Sequence, residues 1–211
     1  MTNAAGSPVA GPLSSSMVER VKGILLQPAV EWPIIDGEQA TVAGLYAGYI
    51  APLSAIPPIA SLIGMSVFGL RLPIVGTLRM PFGSLLTSTI VHYVLGLVSV
   101  YVLALIIDAL APTFGGQQNR IQALKVAAYA STATWIAGIV GLVPALGILG
   151  LLGLYSLYLI YLGLPVLMRS PRERAVGYSA AVVVSAIVLF MVVTYITGRV
   201  VSYPSVGLSV P

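Results

Sequence analysis

The chain contains no cysteine. Disulfides, thiolate metal sites and a cysteine nucleophile are excluded, and the redox compartment leaves no trace in the sequence. Charge is almost as scarce: 8% of the 211 residues are Asp, Glu, Lys or Arg, against about 25% in a soluble domain. The ten basic residues are scattered, with no run dense enough to follow a phosphate backbone, so nucleic-acid binding is excluded. A single histidine cannot hold a metal by itself. No P-loop, HExxH or GxSxG with partners occurs, so neither catalysis nor a cofactor is expected. Residues 1–15 lack a basic segment followed by an apolar core. No cleavable signal is therefore expected, and this stretch reads as a flexible tail.

What remains is apolar: 58% of residues are hydrophobic. The defining stretch is Val126 to Met168, which carries no Asp, Glu, Lys, Arg or His. It is about twice the roughly 20 residues that cross a hydrocarbon core. Pro144 near its middle has no N–H and ends a helix before it, so the stretch predicts two tightly joined spans. The same reading along the chain predicts an all-α polytopic bundle with five spans, at about residues 41–65, 81–111, 121–143, 145–168 and 171–197. A C-terminal tail over 199–211 closes it.

Before the first span, an interfacial segment occupies residues 16–40. Ser16-Met17-Val18-Glu19 has the capping-box pattern, and Met17, Val21, Ile24 and Leu25 recur at helical spacing until Pro28. A short amphipathic helix results, lying on the membrane surface or packed on the end of the bundle. Trp32 is expected at headgroup level. Ser170-Pro171-Arg172-Glu173 repeats the capping pattern before the fifth span. The first span contains Pro52, Pro57 and Pro58, whose freed carbonyls need hydroxyls, neighbours or water. Its Gly44 and Gly48 give a GxxxG spacing, expected to serve packing within the bundle. Arg20, Lys22, Arg120, Lys125, Arg169, Arg172 and Arg174 fall on one side, against Arg71, Arg79 and Arg199 on the other. That excess places the N-terminus in the cytoplasm and the C-terminus opposite.

Few residues offer chemistry. Asp108 near the cytoplasmic end of the second span is costly at membrane depth unless paired. Lys125 lies at a comparable level, which predicts a pair pinning two helices, with an ion relay as the sharper alternative. His92, near mid-membrane, is expected as a neutral core histidine bonded to a facing hydroxyl, or as a pH sensor. Gly147, Gly150 and Gly153 form a small stripe, followed by Tyr155, Tyr158 and Tyr161 toward the aromatic belt. Arg20, Lys22, Arg120, Arg169, Arg172 and Arg174 are the candidate contacts to anionic lipid headgroups.

Several segments read together as one pattern. They are Leu25-Leu26-Gln27-Pro28 with Glu31-Trp32-Pro33, then Tyr49-Ile50-Ala51-Pro52-Leu53, then Asp108 through Gly116. Ala123-Leu124-Lys125 through Tyr129 to Trp135 follows, and Leu157-Tyr158 through Tyr161 to Met168 is the last. This resembles the bacterial branch of the Yip family of Ypt/Rab-interacting membrane proteins over roughly residues 20–196. The resemblance implies five spans, a cytoplasmic N-terminus and an opposite C-terminus, in a bacterial cytoplasmic membrane. Eukaryotic relatives bind prenylated small GTPases and one another. Here the N-terminal region is short and Thr132-Ala133-Thr134-Trp135 lacks the proline often found before that Trp, so GTPase binding is not carried over. A non-enzymatic scaffold follows, with lipids, other membrane proteins or a second copy as partners. The alternative is a small transporter or channel component using the broken first span, His92 and Asp108.

Overall fold

The computed structural model describes residues 16–72, 76–78 and 81–200. The expected tails, residues 1–15 and the chain beyond Val200, lie outside them, as does Arg79. Five helical stretches are long and apolar enough to cross a membrane: Val42–Phe68, Phe82–Leu110, Arg120–Leu142, Gly150–Leu167 and Arg172–Val200. They are the first to fifth spans below. The chain is an all-α integral membrane bundle, to which a small hairpin is added between the first two spans. Its strands β1 (Leu70–Leu72) and β2 (Gly76–Leu78) pair antiparallel, Arg71 opposite Thr77.

Two short helices precede the bundle. In α1 (Met17–Leu26) the capping box forms in full: Glu19 N–H donates to Ser16 Oγ at 3.3 Å, and Ser16 N–H to Glu19 Oε2 at 2.9 Å. Gln27 closes α1 onto the Gly23 carbonyl, and Pro28 opens α2 (Pro28–Gly37) at the position where a missing N–H costs nothing. Pro28, Trp32 and Ile35 form the buried face of α2, at the i, i+4, i+7 spacing of one helical side. Val30 and Ile34 stay exposed on the other, as does Leu26 at the end of α1. The helices therefore pack on the end of the bundle while presenting an apolar outer side. Trp32 is not on the lipid-exposed surface. It is fully buried, and its ring occupies the space a Cβ on Gly163 would need, 2.7 Å away.

The third span is the axis of the bundle. Every residue from Ala123 to Ala130 is buried, and 67% of its apolar window is enclosed by protein, against 17–33% in the others. It is also the least apolar span, with mean hydropathy 1.3, because its neighbours rather than lipid surround it. The second span packs on the third and fifth, and the fourth on the third and on α2. Apolar burial drives little of this inside lipid, so close backbone approach and hydrogen bonds carry the packing. The second half of the first span meets the end of the third at Gly64 and Gly141, and Pro57 lies against Gly138.

The prolines shape the first span. Residues 46–50 form a π-turn, with Ala51 N–H reaching back to the Tyr46 carbonyl, and Pro52 follows directly. Pro52 has no N–H for the Gly48 carbonyl, so the wider turn falls where the α-helical ladder is already interrupted. A second break at Ala55 precedes Pro57 and Pro58. The Ala51 carbonyl is met from the second span, where Tyr93 Oη donates to it at 3.0 Å, and in the other direction Tyr46 Oη of the first span donates to the Leu97 carbonyl at 2.8 Å. The first span is thus broken and stapled rather than smoothly kinked.

The glycine stripe of the fourth span lies in a tighter helix than expected, and only part of it serves packing. Pro144–Leu154 is a 3-10 helix, in which side chains three apart eclipse. Gly147, Gly150 and Gly153 empty one of its three rows. A Cβ on Gly150 would touch nothing, whereas one on Gly153 would meet the Thr134 backbone at 3.5 Å, the close approach expected of a small residue. Ser170 also departs from expectation. Its hydroxyl is buried without a partner among the described residues, and Pro171 rather than Ser170 caps the helical start at Arg172.

Candidate functional site

Polar interactions concentrate at the end of the bundle that carries α1 and α2. Because the Gln27–Pro28 junction folds α2 back along α1, Glu31 reaches the level of Arg20, its carboxylate filling the space beside Gly23 that a side chain would take. Arg20 is 4% exposed. Its Nη1 meets Glu31 Oε1 at 2.5 Å, its Nη2 bonds Glu38, and its guanidinium lies 5.7 Å from the Tyr129 ring centre. A planar fork satisfying two carboxylates and an aromatic face suits arginine and not lysine. Arg20 is therefore a buried structural cation, and the expectation that it contacts headgroups is corrected.

Lys125 completes the lock. Its ammonium is 1% exposed and donates to the carbonyls of Ile35 at 2.8 Å and Glu38 at 2.5 Å. These carbonyls belong to the C-terminal turn of α2 and the residue after it, where a helix leaves acceptors unpaired and carries partial negative charge. Asp36 ties the same turn elsewhere: it accepts from Gln122 Nε2 at 3.0 Å and from Arg169 at 2.7 Å. Asp108 and Lys125 are not brought together. Asp108 faces Arg120 at 4.0 Å, with Oδ1 unpartnered among the described residues. The level of the two residues was readable, but a lysine stem long enough to reach backbone carbonyls was the better partnership.

Below this lock runs an aromatic column. Trp32 and Tyr129 sit edge to face at 6.5 Å and Tyr49 and Tyr129 at 4.7 Å, while Tyr49 and Trp135 are tilted at 6.4 Å. Tyr49 shares a 2.7 Å hydrogen bond with Thr132. Trp135 thus joins the π-turn of the first span to the third. A groove of about 500 Å³ opens beside the column, between Glu38, Thr41, the exposed Gly44 and Gly48, and Tyr129. A Cβ on Gly48 would meet nothing within 4 Å, so the GxxxG pair is not used for packing inside the bundle.

Deeper, His92 Nδ1 is 3.5 Å from Thr197 Oγ1, the facing hydroxyl that a neutral imidazole needs. The break in the third span at Ser131 leaves the Thr134 N–H at the start of a new helix, where it donates to Ser156 Oγ at 3.2 Å. Ser131, Thr134 and Ser156 border a largely apolar groove of about 440 Å³ toward Leu103 and Phe190. Among the described residues no group of three His, Asp or Glu side chains is arranged to hold a metal. Tyr158 and Tyr161 are exposed on the fourth span. Arg120, Arg169, Lys22, Arg172 and Arg174 are exposed as well, the first two facing carboxylates.

Sequence reasoning gave Arg20 a different role and missed Glu31, Glu38 and Asp36. The available signal was that Arg20 shares a face with Ile24, four residues on, and that a hairpin at Gln27–Pro28 opposes it to Glu31. Among known proteins, the Yip1 domain family model matches residues 22–193. No curated protein matches the chain, and no solved structure does.

Proposed function

The chain belongs to the Yip1 domain family, and from that membership we propose that it is a non-enzymatic membrane scaffold that gathers other membrane proteins or a second copy of itself. One observation carries the reading. The described buried charges, Arg20, Lys125 and Asp108, lie at a single end of the bundle, where Arg20 and Lys125 fix α1 and α2 in place. A conduction path would need polar side chains at successive depths. Ser99 and Ser131, which border the deep grooves, instead bond carbonyls of their own helices. What the charged end offers is a rigid platform: α1–α2, the 111–119 loop and the 168–174 loop, held to each other by Gln117 N–H on the Met168 carbonyl at 2.8 Å.

The excess of basic residues on that side supports a cytoplasmic platform with the C-terminus opposite, and the motif pattern favours the bacterial branch and the cytoplasmic membrane. Lys22, Arg120, Arg172 and Arg174 then face anionic lipid. The test is photocrosslinking in native membranes with probes replacing the exposed Arg120 and Arg174, followed by mass spectrometry. One dominant protein partner, or a crosslinked dimer, supports the scaffold. Lipid adducts alone, together with ion or solute flux in proteoliposomes, would replace it with a transporter.

A further inference from the structure

We propose that the cleft between α2 and the charged ends of the fourth and fifth spans binds the phosphate of an anionic phospholipid, held by Arg172 and the Trp32 indole N–H. The cleft has a volume of about 220 Å³. Trp32, Tyr161 and Arg172 supply its polar groups, while Ala29, Pro165 and Ala175 are apolar.

Three observations converge on a phosphate. Arg172 is exposed at the cleft and faces no carboxylate among the described residues, unlike Arg20, Arg120 and Arg169. Glu173, its neighbour, is not among the lining residues. Trp32 is fully buried, yet its Nε1–H has no acceptor among the described residues. A buried donor without a partner is rare and calls for an explanation. Trp32 lines this cleft, and an oxyanion seated there supplies the missing acceptor. Finally, the fifth span begins helical at Arg172, so its positive end faces the same place, as at other anion sites on helix N-termini. A guanidinium binds phosphate through paired N–H groups.

The apolar part selects a lipid over a free anion. Ala29 and Pro165 would meet the glycerol and first acyl carbons. The exposed Leu26, Val30 and Ile34 on the same pair of helices put the cleft at the level where apolar faces enter the headgroup boundary. The inference deepens the lipid-facing part of the scaffold reading and rests on the charged end lying at a leaflet surface.

The test uses the full chain in nanodiscs of phosphatidylcholine carrying brominated phosphatidylglycerol or, in parallel, brominated phosphatidylcholine. Only two tryptophans are present, so Trp135→Phe leaves Trp32 as the sole emitter. Brominated phosphatidylglycerol should quench Trp32 about fivefold more effectively, the weight of one basic side chain at an anionic surface. Arg172→Gln should abolish the difference, and Arg174→Gln, the same charge change outside the cleft, should keep it. Native mass spectrometry of the unsubstituted chain should show phosphatidylglycerol retained through delipidation and lost in Arg172→Gln, which covers the case of Trp135→Phe failing to fold. Equal quenching by both lipids, or a preference that survives Arg172→Gln, overturns the proposal. So does a Trp32 response to inorganic phosphate alone in neutral nanodiscs, which would assign the cleft to a soluble anion. Purified protein in defined lipid contains no protein partner, so a failed crosslinking experiment would not disturb this result.

Discussion

Replacing Lys125 with Met keeps most of the stem that fills the core and removes only the ammonium. The two carbonyls it serves, at 2.8 and 2.5 Å, then lose their charged donor, Ile35 keeping only a long 3.4 Å bond from the Glu38 N–H, and α2 loses the cation at its C-terminal end. A hydrogen bond to a charged group contributes about 1.5–3 kcal/mol, and the desolvation of a nearly buried ammonium offsets part of two such bonds. A net loss of about 2–4 kcal/mol is expected. With about 2–4 °C per kcal/mol for a chain of this size, the melting temperature in detergent should fall by roughly 5–15 °C. The discriminating arm is the double substitution with Asp108→Asn. Asp108 and Lys125 share no hydrogen bond or ion pair among the described residues, so their effects should add to within about 0.5 kcal/mol. Retained stability in Lys125→Met would refute the lock. A coupling above about 1 kcal/mol would show that the two residues do interact.

Other substitutions probe the remaining contacts. Arg20→Ala strands Glu31 and Glu38 beside a buried gap and should cost about 3–5 kcal/mol, with Arg20→Lys recovering little, both read by thermal unfolding. Gly163→Ala drives a methyl into the Trp32 ring and should cost about 1–3 kcal/mol, whereas Gly48→Ala, in open space, should be neutral or slightly stabilising in the same assay. Tyr93→Phe removes the hydroxyl on the Ala51 carbonyl and should cost about 0.6–1.7 kcal/mol, the range for hydrogen bonds between membrane helices; an unchanged melting temperature would mean that water replaces the hydroxyl.

The spans were legible because absence of charge over a membrane's thickness has one physical meaning. The Ser16 cap was legible because both of its partners lie within four residues. The lock at the charged end was not. Arg20 looks like a polar-face residue of a surface helix until α2 folds back and delivers Glu31 and Glu38. Lys125 bonds to backbone carbonyls, which have no letter in the sequence, so the nearest visible carboxylate, Asp108, drew the expectation instead. Trp32 read as an anchor because an interfacial Trp and a buried one share the same apolar surroundings in one dimension; Gly163, far along the chain, is what makes room for it. The third-residue glycines likewise suited both a packing stripe and a 3-10 helix.

The axial position of the third span has a consequence for how the protein is made. Its mean hydropathy of 1.3 is the lowest of the five, and Lys125 adds a penalty for entering hydrocarbon that no single helix can offset alone. Its stability in the membrane comes from neighbours, one of which, the fourth span, is synthesised after it. Insertion should therefore proceed by the third and fourth spans, with their short Leu142–Pro144 connection, leaving the translocon together. A stalled chain whose third span has cleared the ribosome while the fourth has not should still have the third span unintegrated, whereas one in which both have cleared should not.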